Sequence, residues 1–570
     1  MYTRKIFIAA LLCLSAACSD SFLDLKPKGV LLPEQLANRA GVNAVLIGAY
    51  SLMDGVGAGN TTYHSSADNW VYGSVASDDA YKGSTSGDQP EISLIETYQI
   101  LPDNSYFRGK WRAVYDGVSR CNNTLQLLAK AKDINDDERT RITAEARFLR
   151  GHYHFEAKKM WNNIPYIDDT IYNPEDPEST KVPNTANTWP KIEADLKFAY
   201  ENLPHRQDQK GRATKWAAAA LLAKAYLFQQ KYAEAKVLLD AIESQGGYSL
   251  VDRYADNFRA ATNNNAESIL EVQHSVNDGA PGGENGNQGA TLNYPYGGPT
   301  TCCGFFQPSQ NLVNAFKTDA NGLPLVDNFN DTDVTNDQNI ESTAPFTPYT
   351  GNLDPRLDWT VGRRGIPYLD HGVHPGKAWI RDQAYAGPYS PIKNMFYKVD
   401  LGTNTFNGNA RQNANNYRMV RLSHVLLWLA ECEIEVGSLE RARTLVNRIR
   451  QRAANPNGFV KMPGTNADAA AYRIGLYTTA WADKETARKA VRFEERLEFA
   501  MEGHRFFDLV RWGIADQVLN NYVTKEKLKR TYLNGANFVK NKNEYYPIPL
   551  QEIVNSAKNG QPTLTQNKDY

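Results

Sequence analysis

Residues 216–242, WAAAALLAKAYLFQQKYAEAKVLLDAI, align without a gap on residues 423–449, SHVLLWLAECEIEVGSLERARTLVNRI. Ala223 meets Ala430, Tyr232 meets Leu439, Ala235 meets Ala442, Leu239 meets Val446 and Ile242 meets Ile449. In both stretches apolar residues recur at helical spacing on either side of a short polar turn. Small residues recur where the two helices would cross. Each stretch therefore reads as a helical hairpin with one apolar face left open, which neighbouring hairpins must cover.

The same period continues outward. Residues 138–161 (ERTRITAEARFLRGHYHFEAKKMW) place Ile142, Ala146, Leu149, Tyr153 and Ala157 on one stripe. Trp189–Asn202 is another helix, stopped by Leu203 and Pro204. Further hairpins are expected around 107–161 and 485–512. This is the pattern of tetratricopeptide-like repeats, with scaffold segments at about 107–250 and 417–513. Between them lie Gly/Pro/Asn-rich segments, about 54–104, 275–416 and 454–480. Loops this long are functional or disordered. Their many aromatics, among them Tyr63, Trp70, Tyr385 and Tyr389, argue for ordered loops forming one face. Strand candidates are few and short, such as 268–274 (SILEVQH). The expected fold class is mainly α, a helical hairpin scaffold with a large irregular face.

At the N-terminus, Arg4 and Lys5 precede an apolar run from Ile6 to Leu14, and Ser15, Ala16 and Ala17 lead into Cys18. This is an export signal, and small residues before a Cys fit a lipoprotein signal with Cys18 as the acylated new N-terminus. The run is too short for a membrane span, which needs about 20 residues. The expected organisation is a signal at 1–17 and one domain over 18–570. Net charge is −1 and 42% of residues are hydrophobic, which gives no reason to expect nucleic acid as a partner. With 31 Tyr and 10 Trp the chain is well supplied with flat, amphipathic rings. Cys121 and Cys432 fall in helical patterns and read as buried hydrophobes. Cys302 and Cys303 are adjacent in a loop, free or joined as a vicinal disulfide. No spacing suggests zinc.

Several segments together resemble the SusD/RagB family of Bacteroidetes surface lipoproteins: CSDSFLDLKPKG (18–29), DNWVYGSVASDDAYKG (68–83) and AEARFLRGHYHFEAKKMWNNIPY (144–166). YRMVRLSHVLLWLAECEIEVG (417–437), VRFEERLEFAMEGHRFFDLVRWG (491–513) and the ending with EYYPIPLQEIVNS and LTQNKDY continue the likeness in order. The resemblance implies one compact unit whose loops bind ligand, held at the outer membrane by a lipid and facing the exterior. It implies a partner, a SusC-like TonB-dependent barrel that takes oligosaccharide from the lipoprotein acting as a hinged lid. It implies no catalysis and no cofactor. Peptide cargo, or a scaffold that binds only proteins, are the alternatives.

Other constellations read as structural. Glu495, Glu498 and Glu502 would share a helix face among Arg496, Arg505 and Arg511, with Glu494 and Asp508 nearby. Three acids on one helix do not oppose each other across a sugar as a glycosidase pair must, so an ion-pair network is expected. His371 and His374 fall in a turn and are not expected to hold a metal. Residues 327–337 (DNFNDTDVTND) lack the Gly and distal Glu of an EF-hand, which leaves a solvated loop. Gly55–Gly59 (GVGAG) follows a helical pattern rather than the strand a dinucleotide fingerprint needs. No GxSxG, HExxH or P-loop occurs.

Sugars offer C–H faces to aromatic rings and hydroxyls to fixed polar groups. Asp78, Asp79, Tyr81, Lys82, Tyr98, Asp103 and Asn104 supply that mixture in one segment, and Tyr294, Tyr296, Phe305 and Phe306 in another. The resemblance places a stacking ring near Tyr98 and ligand-contacting aromatics near 291–307. The candidate ligand set is thus Asp79, Tyr81, Tyr98, Asn104, Tyr294, Tyr296, Phe305 and Phe306. The competing reading has Tyr294, Phe305 and Phe306 packing their loop onto the helices.

Overall fold

The computed structural model describes residues 33–56 and 62–570; Cys18 and the leader lie outside them, as do Gly57 and Gly59. The scaffold is a row of antiparallel helices. Helix α1 (Arg39–Ser51) packs on α3 (Ser105–Lys130) and α4 (Asp136–Trp161), with the short α2 (Pro90–Glu96) leading into α3. Helices α5 (Trp189–Asn202), α6 (Lys215–Leu227) and α7 (Tyr232–Gln245) follow, each against the one before. After a long excursion that includes the short α8 (Gln310–Ala315), α9 (Leu422–Val436) returns to pack on α7. Helices α10 (Leu439–Ala453) and α11 (Lys484–Phe499) close the row. The two hairpins that align in sequence, α6–α7 and α9–α10, are therefore neighbours in space.

Local chemistry accounts for the ends and crossings. Asn135 caps α4 by accepting the Glu138 N–H at 2.9 Å, with Asp136, Asp137 and Glu138 in the first turn and Lys158 and Lys159 in the last, matching the helix dipole. Gly117 faces Tyr153 where α3 crosses α4; a Cβ there would lie 2.5 Å from the ring. Helix α6 has no polar stripe: Trp216, the alanines 217–220 and Leu221 are all buried, because the small side chains let α5 and α7 approach it from both sides.

Strands are short, and two of the ladders join distant segments. β1 (Ala80–Gly83) pairs antiparallel with β3 (Phe305–Pro308), Tyr81 opposite Gln307. The expected strand at 268–274 is β2 (Ser268–Val272), paired with β4 (Tyr417–Arg421). These ladders fasten the loop-rich excursion to the scaffold.

The acids of α11 form a buried ion-pair network. Arg356 lies 2.7 Å from Asp354, 2.7 Å from Glu494 and 3.0 Å from Glu498. Glu498 also receives Arg421 and Arg452, each at 2.5 Å. Burial works to raise the Glu498 carboxyl, but Arg452, Arg421 and Arg356 outweigh it and hold it far below the usual range. One expectation is corrected: α11 ends at Phe499, so Glu502 is not on its face. Met501 and Gly503 have positive φ, and a Cβ on Gly503 would lie 1.6 Å from the Asp68 carbonyl oxygen, so the chain must turn there before α12 (Arg505–Arg511). Glu502 instead meets Arg421 at 3.0 Å and Lys393 at 2.7 Å.

Candidate functional site

Seven of the eight candidate ligand residues are buried and hold the fold; their placement in the site is corrected accordingly. Asp79 faces Arg496 at 3.0 Å, beside Asp78, which pairs with Arg496 and Arg505. A buried carboxylate requires such cations. Tyr81 donates its hydroxyl to Glu526 of α13 (Ala515–Glu526), accepts the Gln310 N–H at 3.1 Å and lies under the Arg530 guanidinium. Tyr98 donates to the Ala76 carbonyl and packs edge-on against Phe538. Asn104 caps α3, its Oδ1 accepting the Tyr106 N–H at 3.0 Å. The Tyr294 hydroxyl contacts the Asn394 and Arg411 carbonyls and accepts from Asn413 at 2.8 Å. Phe305 and Phe306 pack against Trp70.

Tyr296 is different, at 38% exposed. Its loop is pinned from both sides. The Tyr296 N–H donates to the Trp379 carbonyl at 3.0 Å, and Gly298 sits against the Trp379 indole, where a Cβ would come within 2.7 Å. Thr300 donates its hydroxyl to the Pro295 carbonyl at 2.9 Å. Cys302 and Cys303 are joined as a vicinal disulfide, and Arg411 bridges Cys303 Sγ and the Thr291 carbonyl. The ring is thereby held facing outward.

Around it stand polar groups absent from the candidate set. The Arg381 guanidinium lies 5.1 Å from the Tyr296 ring centre and donates to Ser84 Oγ at 2.8 Å and Asp88 Oδ2 at 2.5 Å. Ser84 Oγ also donates to Asp88, at 3.0 Å. Beneath them Lys82 Nζ bonds the Thr85 and Asp88 carbonyls and lies 4.9 Å from the Tyr385 ring. Burial pulls its amine down to about 8 against the attraction of Glu96 and Asp88. Tyr385 and Tyr532, both half-buried, lie 4.4 Å apart, and the Tyr532 hydroxyl donates to Glu96 at 2.5 Å. Burial raises the Glu96 carboxyl to about 7 despite that bond. A cavity of about 750 Å³ opens beside this cluster, lined by Thr85, Asn339, Glu341, Lys377, Arg381 and Asp382 among others. An exposed ring next to an oriented guanidinium that also lines a cavity of this size suits a small polar ligand with apolar faces.

Other constellations hold structural roles. His374 accepts the Gly376 N–H through Nδ1 and contacts Ser390 Oγ through Nε2, while His371 contacts the Phe396 carbonyl. Asp327, Asp331 and Asp333 form surface pairs with Lys489, Lys525 and Lys529. Among the described residues one group has metal-ligand spacing, His424, Glu502 and His504. It is poorly suited to a cation, because Glu502 already pairs with Arg421 and Lys393. His424 Nδ1 accepts the Arg421 N–H, so its Nε2 carries the proton that bonds His504 Nε2 at 3.2 Å.

Comparison with known proteins agrees with this architecture. A family model described as "SusD family" matches residues 266–570, and one described as "Starch-binding associating with outer membrane" matches residues 21–227. SusD-like protein P25 of Formosa agariphila is 22% identical over 574 residues, covering 97% of each chain. A SusD-like protein of Bacteroides ovatus is 25% identical, covering 93% of this chain and 86% of its own. Among solved structures, a laminarin-binding SusD-like protein superposes with a TM-score of 0.65 at 24% identity, covering 94% of this chain and 100% of its own. Surface glycan-binding protein A of Bacteroides thetaiotaomicron in complex with laminarihexaose does so with a TM-score of 0.68 at 22% identity, covering 93% and 99%. The first family model alone spans more than half of the sequence, and the chain belongs to the SusD family.

Proposed function

We propose that this protein is a cell-surface glycan-binding lipoprotein, acylated at Cys18, whose residues 18–570 act as one unit. It captures oligosaccharide at the Tyr296 face and passes it to a SusC-like TonB-dependent outer-membrane transporter. The observation that carries this reading is the exposed Tyr296 ring set beside the partly exposed Arg381–Asp88 pair, which the buried Ser84 braces from behind, with Arg381 also lining a cavity of about 750 Å³. The ring offers a stacking face, and the Arg381–Asp88 pair offers fixed partners for hydroxyls. Relatives of the same fold named for laminarin and laminarihexaose support the choice of ligand class. A binding rather than a catalytic role is favoured because the acids of α11 are engaged in ion pairs. Calorimetric titration of the soluble domain with a panel of oligosaccharides tests the reading. Saturable binding that weakens in Tyr296→Ala supports it, and binding unaffected by that change places the site elsewhere.

A further inference from the structure

Around Tyr296 the charges are already matched. Arg381 is held by Asp88 and Lys377 by Glu341. Asp382, on the same cavity wall, forms no ion pair among the described residues; its Oδ1 accepts the Tyr385 N–H at 3.1 Å. The cations behind the wall are turned to other acceptors. Lys82 bonds the Thr85 and Asp88 carbonyls, Arg364 those of Ser342 and Ala344, and Arg530 that of Ala384 and the Gln338 side chain. Acids stand behind the wall too: Glu96, Asp337 and Glu526 are all buried, and burial raises each above the usual carboxylate range, Glu96 to about 7. The lining therefore presents two paired cations and one unpaired carboxylate.

Resting on the proposed glycan-binding role of this face, we infer that it takes uncharged oligosaccharides and rejects uronate-bearing or sulfated ones, with Asp88 and Asp382 as the specificity-determining residues. An anionic sugar needs a free cation, and here it must displace Asp88 from Arg381 or Glu341 from Lys377 while facing Asp382. Like-charge juxtaposition is what excludes a wrong ligand in such a site. For a neutral sugar the same groups are useful as they stand. The spare lone pairs of Asp88 and Asp382 accept hydroxyl protons, Arg381 remains oriented by its partners, and Tyr296 supplies the stacking face.

The test is calorimetric titration of the whole soluble protein with matched pairs sharing a backbone: laminarin and laminarin sulfate oligosaccharides, desulfated and native carrageenan oligosaccharides, β-1,4-manno- and β-1,4-mannuronate oligosaccharides. The expected result is that a neutral member binds at least about tenfold more tightly than its charged counterpart, with little dependence on salt. Asp88→Asn, which frees Arg381, should narrow that ratio by at least about threefold. Asp382→Asn should narrow it as well, and it keeps the bond from the Tyr385 N–H because the Asn side-chain oxygen accepts it equally, so the result does not hinge on how Asp88→Asn folds. A charged member binding as tightly as its neutral counterpart overturns the inference and leaves the glycan-binding reading standing. Binding of no member of either kind removes that reading, and this inference with it. Unchanged ratios in both variants refute the roles given to the two carboxylates.

Discussion

Tyr296→Ala and Tyr81→Ala should have opposite consequences, although both rings come from loop segments rich in glycine and polar residues. Tyr81 is fully buried and bonded to Glu526 and Gln310. Truncating a buried aromatic costs about 3–5 kcal/mol, and the orphaned Glu526 adds to it. At about 2.1 cal/mol/K of unfolding entropy per residue, a chain of this length loses roughly 1 °C of Tm per kcal/mol, so Tyr81→Ala should melt about 3–5 °C lower. Tyr296 keeps 38% of its surface exposed and leans on the Arg381 guanidinium, 5.1 Å from the ring centre. Losing an exposed cation–π contact costs about 0.5–1 kcal/mol, or no more than about 1 °C. If the ring stacks on sugar, its removal should weaken binding by about 0.5–1.5 kcal/mol, a factor of about 2 to 13. Scanning calorimetry and titration on the same two variants give both numbers. The reasoning fails if Tyr296→Ala melts as low as Tyr81→Ala while binding glycan normally.

Three further outcomes are expected. Glu498→Gln removes the carboxylate shared by Arg356, Arg421 and Arg452 and leaves buried cations uncompensated, which should cost about 3–5 kcal/mol; a Tm within about 1 °C of wild type would refute the network's structural role. His152 is held neutral, its imidazole pushed down to about 4 first by burial. Because the folded value is below the unfolded one, its contribution to stability is complete above about pH 6.5 and is lost as pH falls toward 4, about 3 kcal/mol in all. His152→Gln should flatten the Tm-against-pH curve over that window, and an unchanged slope would contradict the assignment. Cys18→Ala should fold but leave the membrane fraction, whereas membrane retention without acylation would reject the lipoprotein reading.

The helical scaffold was legible in the sequence because a helix's apolar period is written within a dozen residues. The register of 216–242 on 423–449 located two hairpins, although their direct contact through α7 and α9 was not written there. The ion-pair role of Glu494, Glu495 and Glu498 was legible as well from the arginines spaced around them, although the turn that takes Glu502 off the helix was not. The aromatic loops were not. Tyr81 looks solvated beside Asp79 and Lys82, yet its hydroxyl partner Glu526 is 445 residues away, and the Asp88 that orients Arg381 is 293 residues from it. Whether a ring on an irregular segment is a platform or a packing element depends on which distant segment lies over it. No local period records that. The β1–β3 ladder and the Trp379 turn decide it, burying Tyr81, Tyr294, Phe305 and Phe306 and leaving Tyr296 at the surface.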